Sequence, residues 1–348
     1  MMPEEWPIAA PAADGTPGAR AAGRGRLATV RRDFFLDPAK RLTEQERALM
    51  TAMLHHLVGD IADSLRAAVP GGRIAANDDG NATLIEQLTA SGLLDDAALV
   101  ELLLRRADEE RIATAARARS GKREARVLQG LVSHDHGAVA AAAMALILGR
   151  GRRRDRFGQG LVAFDDLPAA SAATLVHSVA AALRPDVAAG RGTAAANQEL
   201  AEAASSVLGH HDEERAIAAL TAGLVHFLDE LGALTDELIL AAANEGEVAF
   251  IAEVLARRAS IDADSVMDEL LSAEPNRLMA LLRVAAMSRA LSAGLLAGIG
   301  DLLGIADAGA AIAHFDHLSD AEVAAAKAWL SSSQAYRAAL ERLGQPRG

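Results

Sequence analysis

The chain has 348 residues, of which 51% are hydrophobic and 3% aromatic, with no cysteine and a formal net charge of −12, enough to bury a sizeable core in one or two domains. The lack of cysteine excludes a disulfide framework, thiolate metal sites and thiol nucleophiles, and it fits a reducing compartment. Charge is uneven: residues 1–160 carry 23 Lys+Arg against 21 Asp+Glu, whereas 161–348 carry 12 against 26, so the second half repels polyanions and general nucleic-acid binding is not expected.

Roughly a quarter of the residues are alanine, a helix-favouring excess over ordinary usage. The start, MMPEEWPIAAPAADG, carries acids where a secretory signal needs positive charge. The longest uncharged stretch, 167–183, is mostly Ala, Ser and Thr with Pro168, too short and too weakly apolar to span a bilayer. The expectation is a cytoplasmic protein without a membrane span.

In chain order, residues 1–30 are rich in Pro and Gly, lack an apolar period and read as a disordered tail. DFFLDP (33–38) offers a first apolar anchor. Thr43-Glu44-Gln45-Glu46 is a capping box. Beyond it, Leu49, Met53, Leu57, Ile61 and Leu65 recur at steps of four, with Met50, Leu54 and Val58 beside them. This predicts one long amphipathic helix, which Pro70-Gly71-Gly72 stops. Shorter helices are expected over 82–91, 96–106, 109–119, 123–132 and 137–148.

The segment GRGRRRDRFGQGLVAFDD (149–166) then interrupts the pattern and reads as an Arg/Gly-rich linker over 150–166. After it come helices over 168–183, 194–208, 213–231, 236–243, 247–258, 264–271 and 275–287. A second capping box, Ser319-Asp320-Ala321-Glu322, precedes a helix with Val323 and Trp329, and a last helix ends near Gly344. Period-two alternation is lacking throughout.

The fold class is therefore all-α, with an N-terminal helical region (31–149) and a C-terminal acidic one (167–348) flanking the linker. Helices this short cannot hide an apolar stripe alone. They are expected to stack as antiparallel pairs, either as an irregular HEAT-like α-solenoid or as a two-part helical bundle.

Three stretches carry a family resemblance: LTEQERALMTAMLHHLVGDIADSLRAAV (42–69), GLLDDAALVELLLRRADEERIATAARARSG (92–121) and GALTDELILAAANEGEVAFIAEVLARRASI (232–261). Together they resemble an alphaproteobacterial family known as domain of unknown function 2336. The resemblance covers most of residues 34–304 and implies a HEAT-like helical protein in a bacterial cytoplasm. It implies no functional residues.

Five guanidiniums in seven residues, Arg150, Arg152, Arg153, Arg154 and Arg156, make the clearest candidate for binding an anion or an acidic partner. The plainer reading is a solvated linker, or one paired with the acidic second half. His56, one helical turn before Asp60 in HHLVGDIADSLR, resembles the phosphoacceptor helix of some bacterial histidine kinases, where imidazole is the phosphoryl nucleophile. The asparagine and glycine boxes of an ATP-binding half are missing from the sequence.

Eight of the ten histidines fall in close pairs, 55/56, 134/136, 210/211 and 314/317, but they are far apart in the chain and lack zinc-ligand spacing, so polar helix ends and turns explain them better. Gly294, Gly298, Gly300 and Gly304 lack the preceding strand of a dinucleotide loop, which leaves helix approach or helix breaks as their role. No metal, cofactor or catalytic residue is expected. The sequence points to a non-catalytic scaffold or regulatory protein that binds an unidentified protein partner through helix-lined grooves, with phosphotransfer through His56 as the alternative.

Overall fold

The computed structural model describes residues 42–70, 78–120, 126–189 and 192–343. The tail expected over 1–30 and the DFFLDP anchor lie outside them. By internal contacts the chain divides into residues 1–47 and 48–348. In the first unit the capping box is realised: the Glu46 amide donates to Thr43 Oγ1 at 3.1 Å, and the Thr43 amide donates back to Glu46 Oε2 at 2.8 Å.

The described residues form sixteen α-helices. The first seven are α1 (Glu44–Ala68), α2 (Asp78–Ala90), α3 (Ala97–Ser120), α4 (Arg126–Val132), α5 (Gly137–Arg152), α6 (Ala169–Ala188) and α7 (Thr193–Leu208). Then follow α8 (Ile217–Glu230), α9 (Asp236–Asn244), α10 (Val248–Ala259), α11 (Ala263–Leu270), α12 (Pro275–Val284) and α13 (Arg289–Leu295). The last are α14 (Ala308–His317), α15 (Asp320–Leu330) and α16 (Gln334–Arg342). Single 3-10 turns sit at Leu93–Asp95, Phe164–Asp166 and Glu213–Arg215. Among the described residues one isolated bridge, Arg154 with Gly160, is the only strand-like pairing.

The stripe predicted for α1 is the face that is buried: Met53, Leu57, Val58, Ile61 and Leu65 are each at most 2% exposed. Truncating one such leucine costs about 2–5 kcal/mol. Helices pack on one another most extensively as the successive pairs α6 on α7, α4 on α5 and α10 on α11, and as the non-successive pair α5 on α8. That is the stacking that short apolar stripes require.

Two of the expected helices, 96–106 and 109–119, are one. The acidic run Asp108-Glu109-Glu110 reads as a helix start, but Asp108 pairs with Arg111 and Glu109 with Arg106 along the same helix, and Ala107 between them is fully buried. The helix expected from 213 begins at Ile217. The Asp212 side chain caps the preceding 3-10 turn, and extended Ala216 separates the two. Helices α13 and α14 were not expected, although each has its cap: Ser288 Oγ accepts from the Leu291 amide and Asp307 Oδ1 from the Ala310 amide.

Gly294 and Gly298 bring the end of α13 and the π-helical turn Leu296–Gly300 against α9. A Cβ at 294 would lie 2.5 Å from Leu240 Cδ2, and one at 298 would lie 3.1 Å from Asn244 Oδ1.

Buried residues form two cores, and neither stops at the segment 150–166. One combines α1, α2 and the first half of α3 (Leu99, Leu103) with Val162, Leu167, α6 and α7. The other combines the second half of α3 (Ile112, Ala116), α4 and α5 with the helices from α8 to α15. The charged segment is thus not a spacer between two cores. Its charges meet carboxylates both within the segment and outside it, at Asp166, Glu110 and Glu247, which fastens it in place.

Candidate functional site

Helix α3 lies between the two cores and carries arginines and carboxylates along its length. Its charges tie it to distant parts of the chain. Arg105 pairs with Glu101 of its own helix and with Asp264 and Asp268 of α11. Arg111 donates to the Leu302 carbonyl at 3.2 Å, and Arg119 pairs with Asp301. Three clefts flank this helix.

The first cleft, of about 370 Å³, lies between α3, the end of α5 and the start of α10. Here the arginine segment is resolved residue by residue. Arg150 pairs with Glu247 at 2.7 Å. Arg153, only 8% exposed, donates from Nε and Nη2 to the Asp166 carboxylate at 2.7 and 2.9 Å and reaches the Gly149 and Arg215 carbonyls at 3.0 Å. Arg154 lies 3.4 Å from Glu110. Arg152 is exposed, and the Arg156 guanidinium stacks 4.7 Å over the exposed Phe157 ring. Three of the five candidates therefore hold internal carboxylates, and the five do not converge on one ligand position.

Asp166 is the hub of that network. It also accepts the Ala163 and Ile217 amides at 3.0 Å, and Arg106 stands 3.8 Å away. Burial would raise its carboxyl, but the Arg106 charge and the Arg153 hydrogen bonds outweigh this and hold it below the usual range.

The second cleft, of about 510 Å³, opens between α3, the start of α8, α10 and α11. Its walls are built from small side chains: Ala98 of α3, Ala218, Ala219 and Ala222 of α8, Ala249 and Ala252 of α10. Among its carboxylates, Glu101 and Asp264 meet Arg105, Glu109 meets Arg106 and Asp166 meets Arg153. Glu253 differs. Its Oε2 is buried without a hydrogen-bond partner among the described residues. Burial first, then the neighbouring Asp264 charge, pushes its carboxyl above the ordinary value against the opposing pull of Arg257.

The third cleft, of about 360 Å³, holds Asp268, Glu269, Arg277 and Trp329 beside α3. Asp268 is pushed up to about 6, chiefly by burial and further by Glu101 and Asp264, with Arg105 opposing. Gln334 at the start of α16 closes the gap, donating to Glu101 at 2.9 Å and to Asp268 at 3.3 Å.

The histidine pairs scatter. His56 Nδ1 lies 3.0 Å from Asp60 on the outer side of α1, with 42% of its side chain exposed. Burial raises the Asp60 carboxyl, and the His56 charge opposes this. His210 and His317 meet backbone carbonyls one turn back in the chain, at 2.7 and 2.6 Å. His211 meets the Leu167 carbonyl at 3.0 Å and packs edge-on to Phe164. Among the described residues, no three His, Asp or Glu side chains come together as a metal site, and no helix is long and apolar enough to cross a membrane.

Glu253, Asp268 and Asp166 were not singled out from the sequence. The usable signal was at Glu253, a lone acid inside VAFIAEVLA, flanked in the chain by Ala252 and Val254. Neither the curated proteins nor the solved structures contain a match to the chain. A family model does match, over residues 86–327, which takes in α3, most of the lining of the three clefts and part of each core. With more than half of its length so covered, the chain belongs to the bacterial family DUF2336, described as an uncharacterised protein conserved in bacteria.

Proposed function

We propose that the protein is a non-catalytic docking or regulatory scaffold of the bacterial cytoplasm, in which HEAT-like stacked helices receive a helical segment of a partner protein in the alanine-lined cleft between α3, α8 and α10. Small side chains on facing helices let a third helix approach to about 8–10 Å between axes. An apolar helix face laid in such a groove is a recurrent recognition mode.

The observation that carries this reading is Glu253. A buried carboxyl oxygen without a partner costs about 1–3 kcal/mol, and a lysine or arginine of the incoming segment would remove that cost while fixing its register. The partner chemistry is therefore an amphipathic helix with small or aliphatic residues at i and i+3 or i+4 and one basic residue beside them.

Selection of a random-peptide display library against the purified full chain tests this. Recovered sequences should share that pattern and lose binding to Glu253→Gln and to the groove-filling variant Ala222→Phe. Peptides that lack a basic residue, or that bind both variants as well as the parent, would refute it.

A second reading, phosphotransfer, is favoured by one geometric fact: Asp60 at 3.0 Å from His56 Nδ1 fixes the ring and leaves its other nitrogen as the nucleophile. Incubation with phosphorylated receiver domains would transfer an acid-labile label that His56→Gln abolishes. An unlabelled parent protein would dispose of this reading.

A further inference from the structure

Helix α5 has no polar side chain from Gly137 to Gly149, GAVAAAAMALILG. A helix that is apolar all round belongs in an interior. Its inner face meets that demand, because Val139, Ala143, Leu146 and Gly149 are buried and α5 packs on α4 and α8. Its outer face does not. Gly137, Ala141, Met144, Leu148 and Arg152, spaced four, three, four and four residues apart, are all exposed, with Met144 at 42% and Leu148 at 55%.

The two ends of this stripe carry opposite charges. Asp135 is exposed just before the helix and Arg152 is exposed at its end, and neither has an ion-pair partner among the described residues. At 1.5 Å per residue both stand about 12–14 Å from Met144. A two-fold axis at Met144 would lay the stripe antiparallel on itself, with Arg152 of one copy against the partner's Asp135 at each end. The helix dipoles would then oppose one another, which also favours that arrangement. A parallel arrangement would set like charges together. A face that complements itself about its own midpoint is the mark of an isologous interface.

We infer that the outer face of α5 joins a second copy of this chain, through an antiparallel contact of Ala141, Met144 and Leu148 closed by two Arg152–Asp135 ion pairs. A contact of this size lies near the lower limit of about 1,000 Å² for specific association, so weak association, with a dissociation constant in the micromolar range, is the expectation. This inference stands apart from the reading of the alanine-lined cleft.

The test is sedimentation equilibrium of the full chain from about 1 to 100 µM, a range chosen to bracket that constant. The parent should shift from monomer to dimer. Leu148→Glu should stay monomeric with an unchanged far-UV spectrum, since the residue touches solvent in the monomer. Arg152→Asp and Asp135→Arg should each weaken association about tenfold, and the double exchange should restore it. Because the chain has no cysteine, Met144→Cys gives a single thiol at the axis, which should form an intermolecular disulfide under mild oxidation. A parent that is monomeric throughout, a Leu148→Glu dimer, or a charge exchange that fails to rescue would each overturn the inference.

Discussion

Replacing Asp166 by asparagine keeps the shape of the side chain and removes its charge. In the structure this carboxylate, with 1% of its side chain exposed, accepts two charge-assisted hydrogen bonds from Arg153 and two backbone amides. Arg153 is itself buried and would keep its two carbonyl acceptors and at most one bond, now without charge, to the remaining amide oxygen. Breaking a buried pair by removing one partner costs about 3–5 kcal/mol. The surviving carbonyl contacts place the expected loss for Asp166→Asn at the lower end, about 3 kcal/mol.

Urea unfolding followed by circular dichroism at 222 nm reads this loss directly at pH 7. Since Asp166 titrates below its ordinary value in the folded state, its contribution is present above the unfolded value and disappears as pH falls through the folded one. The gap between parent and variant should therefore close in acid. A cycle with Arg153→Met should show a coupling of about 2 kcal/mol, because the second change removes the charge left stranded by the first. A loss under about 1 kcal/mol at pH 7, or additive single and double variants, would refute the hub assignment.

Two further outcomes follow from geometry. Gly246 has φ +72°, and a Cβ there would lie 2.9 Å from the Ala113 Cα and 3.0 Å from the Ile112 carbonyl. Gly246→Ala should therefore cost about 3 kcal/mol, combining the left-handed backbone with displacement of α3, and a smaller loss in chemical unfolding would mean that α3 yields easily. Asp268, raised to about 6, stabilises the fold fully below its unfolded value, and that contribution is lost as pH rises through about 6. Asp268→Asn should match the parent near pH 4 and exceed it at pH 8 by about 1 kcal/mol, a figure reduced for solvent screening because 39% of the side chain is exposed. Thermal unfolding at the two pH values checks the sign.

The helical reading of the sequence succeeded wherever local chemistry decides. Capping at Thr43 and Ser319 is written in four consecutive residues, and both boxes form. The stripe of α1 repeats along a single helix and needs no knowledge of its neighbours. The arginine segment is different in kind. Arg150 finds Glu247 at a sequence distance of 97 residues and Arg154 finds Glu110 at 44, and composition cannot say which carboxylate a guanidinium will meet. Glu253 became notable only once α3 and α8 had formed a cleft around it. The merging of 96–106 with 109–119 has a similar origin: an acidic run serves equally as a helix start or as a row of partners for arginines one turn away, and the burial of Ala107 settles it.

The crossing of the two cores governs how a ribosome must build this molecule. The core residues between 53 and 103 cannot finish their interior until the strip from 162 to 207 has been translated, and those between 112 and 146 wait for the core residues from 217 to 330. During vectorial synthesis each nascent half holds open greasy surface that only later chain can cover, so release before residue 207 yields no completed core. Such a polypeptide matures late and nearly as a whole, and its half-made forms are natural clients for holding chaperones.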